Sequence, residues 1–309
     1  MKKVQELAQG FAENYDCVEV RLCGENAIAS SAVMAVSTAE EAKIAFYRAC
    51  NLVFAKKGSV KSVNVSFLWP QESEEELTAK LTGYLAELCK SEGAFLGAVT
   101  ASVSSFVSKG ILMLQVIGTV PEQQEAAEPK EGYTLCMAGH AGMAGIGLLA
   151  VSEEEALTKQ YTRGFIRQAQ HFLNDLSLRP VKEALGGIES CIYPMQEGGI
   201  LNALWNFADG VGVGLDIDMR KIPIHQESVE ISEFYGINPY QLLSDGACLI
   251  ASRQPEKVCA ELERAGIVCR IIGHITKENA RVIRRDDEVR YLDKPGQEEL
   301  EKIRQEQIR

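Results

Sequence analysis

Residues 197–218 decide the fold of this protein, and they read EGGILNALWNFADGVGVGLDID. The glycine pair Gly198-Gly199 follows an apolar stretch and precedes residues with the apolar spacing of a helix over 199–208. The next apolar run, Val213–Ile217, is typical of a strand. A strand, a glycine turn, a helix and a further strand predict an α/β arrangement in this half of the chain.

A second glycine turn precedes this stretch. A strand predicted over Tyr133–Ala138 leads into the glycine-rich segment 139–147, and a helix is predicted over 148–152. Small residues between a strand and a helix let backbone N–H groups approach a phosphate, and the helix dipole favours the anion. The alternative interpretation is close helix–strand packing, and for the Gly198-Gly199 turn it is a simple helix entry. His140 is either a donor to the anion or a structural residue.

The pattern on either side of these turns predicts two domains joined by a linker. The N-terminal half alternates strands and helices, so that two helices cover one face of a mixed sheet. The predicted elements of this half are a helix over 2–14, strands over 17–22, 27–36, 60–69, 94–103 and 111–120, and helices over 38–57 and 73–93.

The C-terminal half continues the alternation of helices and strands. Its remaining predicted elements are two helical segments within 153–187 broken at Pro180, strands over 188–193, 247–252 and 268–275, and helices over 226–235 and 255–265. The resulting domains are residues 1–120 and 132–295, with a proline-containing linker over 121–131 and a charged tail over 296–309.

Composition excludes several classes of protein. With 46% hydrophobic residues the chain can bury a large core, and its 43 acidic against 32 basic residues give a net charge of −11. That balance argues against nucleic-acid binding, which needs clustered basic residues. The N-terminus lacks the apolar core of a signal peptide, and no apolar run is long enough for a membrane span. We therefore expect a cytoplasmic protein without nucleic-acid or membrane partners.

The nine cysteines do not form a motif. They are scattered over the chain without a C-x-x-C pair, and none stands at a metal-ligand spacing from a histidine. They are expected to be small buried hydrophobic residues in a reducing compartment. Among the acidic residues, Asp216 and Asp218 share one face of a predicted strand and lie near Asp209. These two predict either a Mg²⁺ site or, more simply, solvated residues of an edge strand.

An ordered series of motifs in the C-terminal half resembles the aminoimidazole ribonucleotide (AIR) synthase superfamily, and within it the hydrogenase-maturation (HypE-like) branch. The series consists of Glu197–Trp205, Gly212–Asp218, Lys221–Ile224, Tyr235–Ala251 and Gly266–Thr276. The N-terminal half is similar mainly in the order of its elements. The resemblance implies a two-domain α/β (α+β) fold, and a homodimer in which N-terminal strands of two subunits pair.

The resemblance also implies a nucleotide site. Members of this superfamily bind ATP with Mg²⁺ between their domains and form phosphorylated or dehydrated intermediates. Here the glycine turns would contact phosphate, with Asn51 as a polar contact and three carboxylates as metal candidates. The residues implied for the phosphates are Gly139, His140, Gly142, Gly145, Glu197, Gly198 and Gly199, and those for the metal are Glu25, Asp209 and Asp245.

This sequence departs from the superfamily where aspartates are expected to hold Mg²⁺-ATP. The departures are Gly24-Glu25-Asn26-Ala27, Asn51-Leu52, Gly97-Ala98-Val99-Thr100 and Pro194. The last cysteine is Cys269, whereas the maturation branch uses a terminal cysteine, so no thiocyanate chemistry on its own tail is expected.

Two functional hypotheses follow. The first, which the departures favour, is a dimeric non-catalytic or weakly nucleotide-binding paralogue (a pseudoenzyme), acting with a protein partner in maturation or assembly. The second is an ATP-dependent enzyme of the superfamily that phosphorylates or dehydrates a small substrate or a partner group. Loss of several metal-binding carboxylates removes charge stabilisation that phosphoryl transfer needs.

Overall fold

The computed structural model describes residues 17–22, 25–70, 74–120, 128–294, 296 and 298–306. The chain divides into two compact units, Met1–Glu125 and Ala126–Arg309. Each contains helices and a mixed sheet, so the predicted α/β class is confirmed. The helix predicted over 2–14 and residues 121–127 of the predicted linker lie outside the described residues.

The first unit is a five-stranded sheet with two helices. Its strands are β1 (Cys17–Leu22), β2 (Glu25–Ala35), β3 (Ser59–Trp69), β4 (Phe95–Val103) and β5 (Ile111–Val120), and its helices are α1 (Ala39–Ala55) and α2 (Glu75–Ser91). The strand order is β1-β2-β5-β3-β4, and only β3 and β4 run parallel. This is the predicted mixed sheet, and its element ends coincide with the predicted ones or differ by one or two residues.

Helix α1 begins where its capping residues require. The Thr38 hydroxyl accepts a hydrogen bond from the Glu41 N–H at 3.2 Å, and the Glu41 carboxylate accepts one from the Thr38 N–H at 3.2 Å. This capping box satisfies donors that a helix start leaves unpaired. The helix then buries Ile44 and Phe46 and packs against β2 and β5. Asn51 lies on the same helix and is also buried.

The sheet of the first unit ends at β4, whose apolar side chains are exposed. Phe95 is 78% exposed, and Val99 and Val103 are exposed as well. Phe106, in the loop after β4, is 98% exposed. An edge strand with exposed apolar residues offers a surface on which another chain can pair.

The second unit is a seven-stranded sheet with eight helices among its described residues. Its strands are β6 (Thr134–Ala138), β7 (Cys191–Pro194), β8 (Gly214–Asp218), β9 (Cys248–Ser252), β10 (Cys269–Thr276), β11 (Arg281–Arg285) and β12 (Glu288–Tyr291). Its helices are α3 (Met143–Ser152), α4 (Glu154–Leu157), α5 (Arg163–His171), α6 (Arg179–Ala184), α7 (Gly199–Val211), α8 (Gln226–Tyr235), α9 (Pro255–Arg264) and α10 (Glu299–Glu306).

The strand order of this sheet is β12-β11-β8-β10-β6-β9-β7. One face carries the main core, in which Leu135 and Met137 of β6 meet Leu204 and Phe207 of α7. Because side chains alternate along a strand, Cys136 points to the opposite face, where α9 packs against β6 and β10. Strands β6 and β7 both pair antiparallel with β9, so their carboxyl ends lie at one edge of the sheet.

Several predicted elements of this unit were wrong in detail. Helix α3 starts at Met143 rather than at residue 148, so Gly145 lies inside the helix. Pro180 does not break a helix but occupies the first turn of α6, where its missing N–H loses no helical hydrogen bond. The prediction also missed the β11–β12 hairpin, and the charged tail contains α10. No described helix is long and apolar enough to cross a membrane.

Candidate functional site

Both glycine turns lie on the side of the second sheet where the carboxyl ends of β6 and β7 are found. The turn after β6 spans residues 139–142, and the turn after β7 spans residues 197–199. The segment before β9 lies between them, since the Ser244 hydroxyl accepts from the Gly142 N–H at 2.8 Å and the Ser244 N–H donates to the Gln196 carbonyl at 3.2 Å. The structure therefore brings together the two turns that the sequence singled out.

Three N–H groups of the first turn, including that of Gly142, donate to oxygens inside the protein. The Gly139 N–H donates to the Val268 carbonyl and the Ala141 N–H to the Pro223 carbonyl, both at 2.9 Å. Gly145, predicted as part of a phosphate loop, lies in α3 and its N–H donates to the Leu243 carbonyl at 2.9 Å.

Close packing explains the glycines of this segment. A Cβ on Gly145 would lie 2.4 Å from Leu242 Cγ, and one on Gly139 would lie 3.0 Å from the Cβ of Ala247. Gly139 and Gly142 also have φ values of +82° and +72°, which favour glycine. The geometry of the first turn therefore matches the helix–strand packing interpretation.

His140 takes part in an aromatic stack. Its ring lies 3.7 Å from that of His225, centroid to centroid, and the His225 ring lies 4.5 Å from that of Phe172. Burial, followed by the nearby His225 and Arg270, lowers the pKa of His140 to about 4. Burial also lowers the pKa of His225. Both imidazoles are thus neutral at physiological pH, which weakens any attraction of His140 for an anion.

The second turn holds a carboxylate. Gly198, with φ of +72°, caps the start of α7. Its N–H donates to Oε2 of Glu298, and the Leu243 N–H donates to Oε1 of the same side chain at 2.9 Å. We call the N–H groups of Gly198 and Leu243 the amide pair. The amide of Gly198 at the start of the 13-residue helix α7 and the amide of Leu243 converge on one point, which is an anion-binding arrangement. Here the side chain of Glu298 occupies it.

Glu298 has a perturbed carboxyl group. Burial raises its pKa from 4.5 to about 7, although the hydrogen bonds from the amide pair act in the opposite direction. The neighbouring charge of Glu197 raises it further. Glu197 itself is exposed, and its backbone carbonyl accepts a hydrogen bond from Asn202 Nδ2 at 2.6 Å. Burial of the charged carboxylate of Glu298 therefore costs free energy of desolvation. This cost makes it easier for another anion to displace the carboxylate from the amide pair.

Gly199 is fixed by its backbone surroundings. It has φ of +58°, and a Cβ there would lie 2.6 Å from the Leu242 carbonyl oxygen and 2.7 Å from that of Tyr240. Only glycine fits this position without moving backbone atoms. The glycine pair therefore has two different roles, since Gly198 supplies an amide and Gly199 supplies space.

The acidic residues proposed for metal binding have other surroundings. Asp209 accepts a hydrogen bond from Arg281 at 2.8 Å, and Asp245 is only 1% exposed. Asp216 pairs with Arg284 through two hydrogen bonds of 2.7 Å, which hold the pKa of its carboxyl below the usual value. Asp218 pairs with Arg220, and this contact likewise lowers the pKa of Asp218.

The remaining predicted site residues do not lie where the sequence analysis placed them, or lie in the other unit. The idea that Asp216 and Asp218 lie on an edge strand was wrong, because β8 lies between β10 and β11. Glu25 begins β2 opposite Leu22, and its side chain lies outside the described residues. Asn51 is in the first unit, whereas both glycine turns are in the second.

Sequence reasoning missed Glu298 and Leu243. Leu243 contributes only a backbone N–H, and Glu298 lies in the segment that the sequence analysis predicted as a charged tail. The one available signal was the apolar spacing of Leu300 and Ile303, which are buried in α10. That spacing indicates a docked helix rather than a solvated tail.

Comparison with known proteins places these features in a family. The model of the C-terminal domain of AIR synthase related proteins matches residues 130–285, which include both glycine turns. A putative hydrogenase expression/formation protein of Methanocaldococcus jannaschii is 24% identical over 229 residues. That match covers 72% of this chain and 66% of the relative, slightly less than two thirds of its length.

Solved structures share the fold of the whole chain. The crystal structure of a HypE–HypF complex aligns with a TM-score of 0.75 at 19% identity, covering 95% of this chain and 99% of that chain. HypE in complex with ATP aligns with a TM-score of 0.73 at 14% identity, covering 94% of this chain and 90% of that chain. At these identities the likeness shows the fold, which confirms the predicted two-domain AIR synthase-like architecture.

Proposed function

Because the chain belongs to the family of AIR synthase-related proteins, we propose that it is a HypE-like nucleotide-binding protein with a degenerate Mg²⁺-ATP site. In this proposal it binds nucleotide weakly and without turnover, in a maturation or assembly role. The observation that carries the proposal is the amide pair of Gly198 and Leu243, which already holds the carboxylate of Glu298. A phosphate oxygen makes the same hydrogen bonds to backbone amides as a carboxylate oxygen does.

The proposed loss of metal-dependent turnover is supported by ion pairs. Asp209 and Asp216, two aspartates of the second unit that the sequence suggested for metal binding, are paired with arginines. A guanidinium nitrogen lies 2.8 Å from a carboxylate oxygen of Asp209 and 2.7 Å from one of Asp216. Mg²⁺ needs carboxylate oxygens, so it would have to replace a guanidinium at each of these groups. Pro194, where the resemblance to the superfamily implies an aspartate, is the last residue of β7 and brings no carboxylate.

One observation favours the alternative, an ATP-dependent enzyme. The carboxylate of Glu197 is exposed directly beside the amide pair, where it could bind a metal ion that a nucleotide brings with it. In this alternative Asp245 of the same unit would supply a further ligand. The bound nucleotide would then be hydrolysed or would transfer a phosphoryl group.

Calorimetric titration with ATP, together with a phosphate-release assay, separates these functions. Our proposal predicts ATP binding whose affinity is the same with and without Mg²⁺, and no phosphate release. Mg²⁺-dependent binding accompanied by phosphate release would establish the enzyme instead. Absence of ATP binding to both the native protein and the Glu298→Ala variant would contradict nucleotide binding altogether.

We propose in addition that the protein is a homodimer that pairs through β4. Support comes from the exposed apolar residues Phe95, Val99 and Val103 on this edge strand. Sedimentation equilibrium of Val99→Lys tests this, with Val289→Lys in the exposed β12 hairpin as the control. The proposal predicts that only Val99→Lys shifts the protein toward monomer, and a native protein that sediments as a monomer would contradict it.

We also propose a protein partner of the maturation type. The support is the HypE–HypF complex, whose HypE component shares the fold of this chain. Co-elution in size-exclusion chromatography with a HypF-type protein encoded in the same genome is the expected result. Separate elution at concentrations well above those in the cell would contradict this partner.

A further inference from the structure

Three cysteines meet on the face of the second sheet opposite to the α7 core. Cys136 and Cys269 lie on the neighbouring strands β6 and β10, and Cys259 lies on α9, which packs over these strands. Their Sγ atoms all lie within 4.8 Å of one another, and those of Cys259 and Cys269 are 3.3 Å apart. No disulfide joins them.

This spacing is close to what a shared metal ion requires. A metal ion about 2.3 Å from each of three thiolates places the sulfur atoms about 4 Å apart. The Sγ atoms of the three cysteines therefore need to move by less than about 1 Å to share an ion. Rotation of side chains provides such movement without a change in the strands or in α9.

The surroundings of the cluster select the kind of ion. Cys136 is 0% exposed and Cys269 is 1% exposed, whereas Cys259 is partly exposed and gives access from outside. Burial raises the pKa of the Cys259 thiol to about 12. A hydrogen bond with Cys136, followed by burial, raises the pKa of Cys269. The thiols of Cys259 and Cys269 are therefore protonated when no metal is bound, and an ion with a strong preference for sulfur is needed to displace their protons.

We infer that Cys136, Cys259 and Cys269 form a binding site for one copper(I) ion. Among the described residues the group has no fourth histidine, cysteine or carboxylate ligand. Structural zinc sites take four ligands, whereas copper(I) is a soft ion that is stable with two or three thiolates. Binding leaves copper in the +1 state, and every cysteine that becomes a thiolate releases one proton to solvent. No electron is transferred.

Anaerobic titration with copper(I) against the chromophoric chelator bicinchoninate tests the site. The expected result is one tightly bound copper(I) ion per chain, with affinity lowered by about tenfold or more in Cys259→Ser. Cys191→Ser is the matched control, because Cys191 is a partly buried cysteine of the same sheet outside the group. Its copper affinity should equal that of the native protein.

Alkylation by iodoacetamide provides a second measurement that needs no variant. Copper(I) should protect Cys259 of the native protein from alkylation, as followed by mass spectrometry, and should leave the alkylation of Cys191 unchanged. The inference is overturned if copper(I) does not change the alkylation of Cys259, or if Cys259→Ser binds copper(I) as tightly as the native protein. It is also overturned if zinc(II) displaces copper(I) from these cysteines.

Discussion

The turn at 139–142 and the turn at 197–199 have the same local backbone arrangement. Each follows a strand of the second sheet, and each contains a left-handed glycine at the N-cap of a helix, Gly142 or Gly198, both with φ of +72°. They differ in what their N–H groups bind. In the first turn the N–H groups of Gly139, Ala141 and Gly142 donate to neutral oxygens of neighbouring segments, whereas Gly198 in the second turn donates to the carboxylate of Glu298.

This difference teaches that a glycine-rich strand–helix turn does not by itself bind an anion. The first turn opens the longer glycine-rich segment 139–147, but the amides of Gly139, Ala141 and Gly142 donate within the protein, and glycines of this segment permit close packing against Leu242 and Ala247. The second turn is shorter, and its amide pair binds the side chain of Glu298, which can move away from the amides. Anion binding therefore depends on which acceptor the fold supplies.

The largest effect is expected from Gly145→Ala, which would disrupt the packing of α3, the helix that follows the first turn, against Leu242. The new Cβ would lie 2.4 Å from Leu242 Cγ, and we expect a loss of free energy of unfolding toward the upper end of about 1–3 kcal/mol. Gly210→Ala in α7 is the control, because no heavy atom lies within 4 Å of its Cβ. It should stabilise the protein by about 0.5 kcal/mol. Urea unfolding measures both, and equal effects would contradict the packing role.

A somewhat smaller loss is expected from Ser244→Ala, which removes the neutral acceptor of the first turn. The Gly142 N–H then stays buried without its partner, at an expected cost of about 1–2 kcal/mol. The control is Ser228→Ala, since the buried Ser228 hydroxyl has no hydrogen-bond partner in the structure and its loss should be neutral or stabilising. If Ser244→Ala leaves urea unfolding unchanged, the amide of Gly142 does not depend on this hydroxyl.

Glu298→Ala sharpens the comparison at the second turn. Removing the carboxylate frees the amide pair, so the affinity for ADP measured by calorimetry should rise about tenfold, equivalent to about 1.4 kcal/mol. Glu301→Ala removes a carboxylate from α10, which begins directly after Glu298, and should leave the affinity unchanged. Equal ADP affinity of the native and Glu298→Ala proteins would show that nucleotide does not compete with this side chain.

The smallest expected effect is a pH dependence of α10 docking. Because the pKa of Glu298 is raised from 4.5 to about 7, the docked state binds the proton more tightly than the free state. The contribution of this group to docking is complete below 4.5 and is lost as pH rises through about 7. Hydrogen-exchange protection factors of α10, corrected for intrinsic rates, should be lower at pH 8 than at pH 6. In Glu298→Ala this change should disappear.

Sequence reasoning predicted the fold well where local signals agree with packing. The strand over 111–120 and the helix over 226–235 appear as expected, because apolar periodicity is a local signal. The start of α3 was misplaced because glycines normally disfavour a helix. Here Leu242 fills the space that side chains at those glycines would occupy.

The candidate site was predicted only in part for a similar reason. The glycine turns could be found from their spacing, but the partners of their amides come from distant parts of the chain. Glu298 lies 100 residues from Gly198, and Ser244 lies 102 residues from Gly142. The three-cysteine cluster likewise joins residues from two strands and a helix, so no short motif indicated it.

The most direct test of the amide pair is nuclear magnetic resonance of Glu298→Ala protein labelled with ¹⁵N at glycine and leucine. Addition of ADP should shift the backbone amide signals of Gly198 and Leu243, while those of Gly139 and Gly142 stay in place. Shifts at Gly139 and Gly142 with unchanged signals at Gly198 and Leu243 would contradict the account.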